Sequence, residues 1–368
     1  MHLFILLASV IFWLILFETG LRVFYPTPFG FVQGGVVADN NLCYVLSKNF
    51  SSVIKTFDGQ YSSIFSTTEY GSRTTGNINL NKQTILMIGD SFTLGVQVDD
   101  NQTFSSQTYA NLMKSGQTFN VLNFGVLGYN PYQYLIMINK TIINFNTKYV
   151  VVNFYVTNDF VTLADDPRTN DCQITVINGY LTTKNWKNTS LFFKTRAYLH
   201  THTSTYNFLS NLVMNMPLTR KLLYILGISI NKPEEPETLL FTQNDKGEEM
   251  YQTTFKTLNE INKLVKANNA TLIIDIIPPA YHTTQSLWST FWQKYGNNTI
   301  KPDVRMPYQR MTAYARENNI TLINMYDIIV NNSNPTQYFG IRDNHYVAKG
   351  HEKHAEVLSS MIRKINEK

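Results

Sequence analysis

From residue 84 onward the chain alternates between two hydrophobic patterns. Short runs rich in apolar and β-branched residues, at 84–89, 119–125, 149–156, 271–277 and 321–328, suit buried strands and are too short for typical helices. Between them, 101–115, 131–146, 248–268 and 306–318 repeat apolar residues every three to four positions, the period of a helix with one buried face. Strand–helix alternation of this kind predicts an α/β fold in which a parallel, doubly wound sheet lies between two helical layers. The alternation breaks once, over a long excursion at about 160–247. Inside it, Ile174–Thr183 has Asn178-Gly179 at its centre, a tight-hairpin signal. Residues 205–228 are apolar but interrupted by Pro217, Arg220 and Lys221, which reads as an amphipathic helix packed on the domain.

Upstream, residues 3–17 are uncharged and end before Glu18 and Arg22. A full membrane span takes roughly 20 residues, so the run is at the short end. It reads as a retained N-terminal anchor within 1–24, with a cleaved signal peptide and a buried helix as the other readings. Arg22 follows the run and no Lys or Arg precedes it. By the positive-inside rule alone the rest of the chain would therefore stay inside, in conflict with the extracytoplasmic placement favoured on other grounds. Residues 25–80 form a β-rich lead-in, with Asp58-Gly59 marking a hairpin between Ser52 and Ser66. The remaining 81–368 is one catalytic-size domain carrying the excursion as an insertion.

Composition narrows the class. Charged residues make up 15% and aromatics 13%, which describes a packed globular protein and not a disordered chain. The formal charge of +5 is spread without a Lys/Arg block, so no nucleic-acid partner is expected. Cys43 and Cys172 are the two cysteines, and with no Cys-x-x-Cys a thiolate zinc site or redox dithiol is not expected. They pair, as suits an exported protein, or stay as two buried thiols.

Candidate chemistry falls at the ends of the expected strands, the edge where open α/β sheets bind ligands. The first strand stops at Gly89-Asp90-Ser91, which puts the Ser91 hydroxyl at a strand–helix junction. The second runs into Asn123-Phe124-Gly125-Val126-Leu127-Gly128-Tyr129-Asn130, where glycines admit close backbone approach. The third ends in Thr157-Asn158-Asp159, bringing a side-chain amide to the same edge. Near the C-terminus come Arg342-Asp343-Asn344-His345 and Gly350-His351. Acyl transfer needs a nucleophile, a base, a group that holds the base, and donors for an oxyanion. Ser91, His345 and Asp343 fill the first three roles. The Ser91 N–H, Gly128 N–H and Asn158 amide fill the last. Gly125 reads as a packing glycine and Asp159 as a brace for its loop.

Two other groups have plainer readings. His351 and His354 are three apart on a predicted helix, but no cysteine or carboxylate triad completes a metal site, and neither metal nor cofactor is expected. Trp288, Phe291, Trp292 and Tyr295 could stack on sugar rings, yet they have the spacing of an ordinary core-facing helix.

The four blocks taken in order resemble the SGNH/GDSL hydrolases. The matching residues are Gly89-Asp90-Ser91, Gly128 within the Val-Leu-Asn-x-Gly-x-x-Gly-Tyr stretch, Asn158 within Asn-Asp, and Asp343-x-His345 before Gly-His. Many members write the last block Asp-x-x-His; the shorter spacing here also occurs in the family, notably among relatives acting on cell-surface polysaccharides. Gly89 to Phe104 is similar to membrane-anchored members. The resemblance spans about 84–160 and 270–365. It implies a three-layer α/β/α fold with a five-stranded sheet in flavodoxin-like order 2-1-3-4-5 and an inserted cap region. It further implies ester hydrolysis by Ser91, His345 and Asp343, with a carbohydrate or lipid O-acyl ester at the cell envelope as substrate. A glycan O-acetyltransferase with the same residues, and a silent glycan-binding protein, are the alternatives.

Overall fold

The structure, a computed structural model, describes residues 2–24, 34–55, 62–161, 174–177, 180–183, 195, 198–199, 203–206, 208–209, 236–297, 299–340 and 344–367. Helix α1 (His2–Phe24) is followed by strands β1 (Val36–Asp39), β2 (Cys43–Leu46), β3 (Ser51–Lys55) and β4 (Ser62–Ser66). The alternating part then runs β5 (Thr84–Gly89), α2 (Ser91–Leu94), α3 (Phe104–Lys114), β6 (Asn120–Gly125), α4 (Pro131–Thr141), β7 (Thr147–Tyr155) and α5 (Val156–Val161). After β8 (Ile174–Ile177) and β9 (Tyr180–Thr183) it resumes with α6 (Asp245–Ala267), β10 (Thr271–Ile277), α7 (Gln285–Tyr295) and α8 (Met306–Glu317). It closes with β11 (Thr321–Asn324), α9 (Met325–Val330) and α10 (Ala348–Asn366).

Five strands form one parallel sheet in the order β11-β10-β7-β5-β6, which numbered from β5 is the expected 2-1-3-4-5. Successive residues of these strands are apolar on both faces because helices cover both. Leu86, Ile88, Val150, Val152, Ile274 and Ile276 meet the side that carries α4, α6, α7 and α8. Ile85, Met87, Val121, Val151 and Ile273 meet α3, α9 and α10. The chain is thus a three-layer α/β/α sandwich.

Helix starts follow their caps. Thr103 accepts from Ser106 N and begins α3 three residues later than the periodicity alone suggests. Asn244 accepts from Gly247 N and begins α6 three residues earlier. One strand is shorter than expected: residues 321–328 divide into β11 and α9. Met325, Tyr326 and Ile329 are the buried positions of α9, a helical spacing that in so short an apolar run cannot be told from a strand by periodicity.

The lead-in is stitched to the sheet. β1 pairs with β2 and β3 with β4, both antiparallel; Asp58-Gly59 lies outside the described residues. Arg73, wholly buried, bonds Asp100 at 2.9 Å and donates to the carbonyls of Ile64, Leu94, Gly95 and Val98. Its own N–H bonds Asn123 O of the edge strand β6 at 2.8 Å. Cys43 is disulfide-bonded; Cys172 lies outside the described residues. In the excursion β8 and β9 pair antiparallel as expected, while Asn178-Gly179 and most of 205–228 lie outside the described residues.

Among the described residues, one helix, Phe4–Phe24, is long and apolar enough to cross a membrane, with a mean hydropathy of 2.3 and none of it buried. It extends a turn and more beyond the uncharged run. Glu18, near its end, accepts from Ser204 N, Thr205 N and Thr205 Oγ1 at 2.9, 2.8 and 2.8 Å.

Candidate active site

The strand order sets the site. β5 lies between β6 and β7, so the segments that leave the C-terminal ends of these three strands are neighbours. The chain leaves β5 through Asp90, which N-caps α2 by accepting from Phe92 N at 2.9 Å, and Ser91 opens the helix half-buried. The turn sits directly on the sheet. At Gly125 a Cβ would stand 2.4 Å from Leu94 N, so the position admits no side chain. Its N–H is taken by Asn123 Oδ1 at 2.9 Å, and Gly125 serves packing as expected.

His345 Nε2 lies 2.6 Å from Ser91 Oγ, a hydrogen bond joining residues from opposite ends of the domain. The His345 ring rests on Phe92 at 4.7 Å, and Phe92 is stacked on Tyr155 at 4.4 Å. The backbone on either side is tied down, since Gly340 N donates to His345 O at 2.9 Å and Val347 N to Tyr338 O at 3.0 Å. Asp343, the expected partner of His345, lies outside the described residues.

Gly128 is exposed at φ +66, in the left-handed region that favours glycine, so the loop after β6 can turn there. Two bonds from the lead-in hold this loop: Tyr44 Oη donates to Leu127 O at 2.6 Å, and Tyr129 Oη donates to Tyr44 O. Asn158 on α5 is half-buried, and its Nδ2 donates to Tyr129 O at 3.0 Å. The structure therefore brings the Gly128 loop and Asn158 together.

Behind this edge lie two buried carboxyls. Asp159 accepts from Tyr134 Oη at 2.9 and 3.1 Å and from Tyr155 N at 3.0 Å, which makes it a brace. Burial, helped by the nearby charge of Asp90, holds its carboxyl well above the usual range. Burial likewise pushes Asp90 up to about 6, opposed by the Phe92 N–H and the charge of His345. An unfolded aspartate titrates near ~3.9, so the folded protein holds this proton more tightly. Below about pH 4 the carboxyl is protonated in both states, and stability falls as pH rises from there to about 6. Above that, the ionised group costs on the order of 2–3 kcal/mol. Asp90→Asn keeps an N-cap acceptor and removes the cost. It should raise the melting temperature at pH 7.5 but not near pH 4. Equal melting temperatures at pH 7.5 would show the charge to be compensated.

The remaining expectations divide. Trp288, Phe291 and Trp292 are buried as core residues, with Trp288 stacked on Phe291 and tilted against Trp292. His351 and His354 are buried a turn apart on α10: Phe104 N donates to His351 Nδ1 at 3.1 Å, and His354 bonds Asp275. Three contributors were not singled out from sequence: Asp90 as a buried acid, Tyr44 as a loop brace, and Asp275. The last had a signal, a charged residue amid the apolar run Thr271–Ile277.

No protein-family model and no curated protein matches the chain. Several solved structures are similar to it. A lipase/acylhydrolase from Enterococcus faecalis is 12% identical, with 77% of this chain and 96% of that one covered and a TM-score of 0.42. A GDSL-like lipase from Bacteroides thetaiotaomicron is 15% identical, with 78% and 91% covered and a TM-score of 0.37. The esterase EstA from Pseudoalteromonas sp., in a structure inhibited by monoethylphosphonate, is 10% identical, with 77% and 99% covered and a TM-score of 0.40.

Proposed function

We propose that this chain is a serine esterase of the SGNH/GDSL type, which removes O-acyl groups from a carbohydrate or lipid at the cell envelope. The observation that supports it most is the 2.6 Å bond between Ser91 Oγ and His345 Nε2, made where β5 gives way to α2. His345 takes the hydroxyl proton as Ser91 Oγ attacks the ester carbonyl. The negative charge on the carbonyl oxygen is met by the N–H groups of Ser91 and Gly128 and by Asn158 Nδ2. Collapse breaks the ester C–O bond, and the imidazolium returns its proton to the leaving alcohol. Water, deprotonated by His345, then attacks the acyl carbonyl; the acyl–Oγ bond breaks, the imidazolium returns its proton to Ser91 Oγ, and the acid leaves. Asp343 is assigned as the carboxylate that orients His345.

The reading is tested on full-length protein in detergent with a fluorophosphonate probe, p-nitrophenyl esters and acetylated sugars. A phosphonylated peptide containing Ser91 is the expected product; an unlabelled Ser91 in an active protein would remove the serine mechanism. Asn158→Ala should lower kcat roughly 10²–10³-fold, the usual loss for one oxyanion donor. A raised KM at unchanged kcat would make Asn158 a binding residue instead.

For placement, we assign α1 as a retained anchor with the catalytic part outside the membrane's cytoplasmic side. The protein should sediment with membranes, and protease added to intact cells should degrade it. A protected catalytic part would reverse the orientation, in agreement with the charge flanking α1.

A further inference from the structure

One buried pair takes no part in that chemistry. Asp275, in the middle of β10, and His354, on α10, are both fully buried, and Asp275 Oδ2 is hydrogen-bonded to His354 Nε2. Taking an acid and an imidazole out of water is expensive, and apolar residues of similar volume often serve stability as well or better. The location supplies a reason for the pair. In the sheet register Asp275 lies beside Asn153, and Asn153 beside Gly89. Asp275 therefore stands level with the strand end from which Asp90 and Ser91 emerge, two strands away.

Its partner belongs to the helix that follows the His345 loop. A turn before His354, His351 accepts from Phe104 N, and the Phe104 ring lies flat on His354 at 4.1 Å. Tyr346, the neighbour of His345, is buried edge-on against His354 at 5.8 Å and against Phe92 at 5.3 Å. Phe92 in turn carries the His345 ring. A continuous set of contacts thus runs from the Asp275–His354 bond to the base, and the seat of α10 on the sheet decides where His345 stands.

We propose that Asp275 and His354 are positioning residues: their bond locks α10 to the sheet at the level of Ser91 and so holds His345 within reach of the nucleophile. The proposal rests on the serine-esterase reading. A hydrogen bond is directional and fixes rotation and slide of the helix, whereas an apolar contact tolerates both. Both residues are fully enclosed, so neither touches substrate.

The test uses full-length protein in detergent and reads kcat, KM and the rate of fluorophosphonate labelling at Ser91. In the double variant Asp275→Leu/His354→Leu the pair becomes apolar and somewhat larger, and the bond is lost. The melting temperature should hold, KM should stay, and kcat and labelling rate should both fall about tenfold, since small misplacements of a catalytic group cost that much and more. Asp275→Asn/His354→Gln, which restores a neutral hydrogen bond, should recover most of the rate. A purely structural pair would change the melting temperature and leave kcat alone, and that result overturns the proposal. Should the leucine pair not fold, His354→Asn is read the same way, its amide being too short to reach Asp275; an unchanged labelling rate again overturns it. If the parent protein itself does not label at Ser91, the esterase reading falls and the proposal with it. If the parent labels and the variants label equally fast, the positioning role alone falls.

Discussion

Ser91→Ala is expected to eliminate ester hydrolysis and phosphonate labelling while leaving the protein folded. The nucleophile is the one group in the proposed cycle that no neighbour replaces, so the loss should be about 10⁴-fold or more in kcat, the scale seen when a serine nucleophile is removed. The fold should be indifferent. Ser91 is half-buried, its side chain bonds only His345 among the described residues, and the cap of α2 is supplied by Asp90. A change at such a position costs under about 1 kcal/mol. Turnover measured with p-nitrophenyl acetate, beside a thermal melt, separates the two. Retention of a tenth of the activity would mean that another group attacks the ester.

His345→Ala should be almost as damaging, again about 10⁴-fold in kcat, because a serine hydroxyl without a base is a poor nucleophile. The side chain leaves a slot over Phe92, against which the ring packs at 4.7 Å. Added imidazole should enter it and restore part of the rate, with saturation at rising concentration. Ser91→Ala should show no such rescue. Substantial activity in His345→Ala without imidazole would show that Ser91 is activated from elsewhere.

The sheet was legible because its strands are apolar on both faces and therefore read as runs, and because each was followed by a helical period. Where the run was ambiguous the reading went too far, as at 321–328, whose second half winds into α9 to bury Met325, Tyr326 and Ile329. The pairing of Ser91 with His345 was legible through its motifs. Its supports were not, since they depend on tertiary approach. Arg73 gives no sequence signal of burial, its partners being four backbone carbonyls and Asp100. Tyr44 is an ordinary strand tyrosine until the loop around Gly128 folds against it. His351 and His354 lie on one helix, as expected, but what they meet there, Phe104 and Asp275, comes from two different elements.

The grip of Tyr44 on Leu127 and Tyr129 bears on what counts as the minimal catalytic unit. The sandwich proper begins at β5, yet the loop carrying Gly128 is held from β2, well before it. Arg73 adds a second tie from the lead-in, to the edge strand β6 and to the carbonyls that follow α2. The lead-in thus braces the loop proposed to supply an oxyanion donor, and is more than a spacer between α1 and the sandwich. A version trimmed to the α/β core would keep every proposed catalytic residue and lose the scaffold that braces that loop. On the proposed function, the shortest version expected to keep activity therefore starts no later than Val36, the first residue of β1.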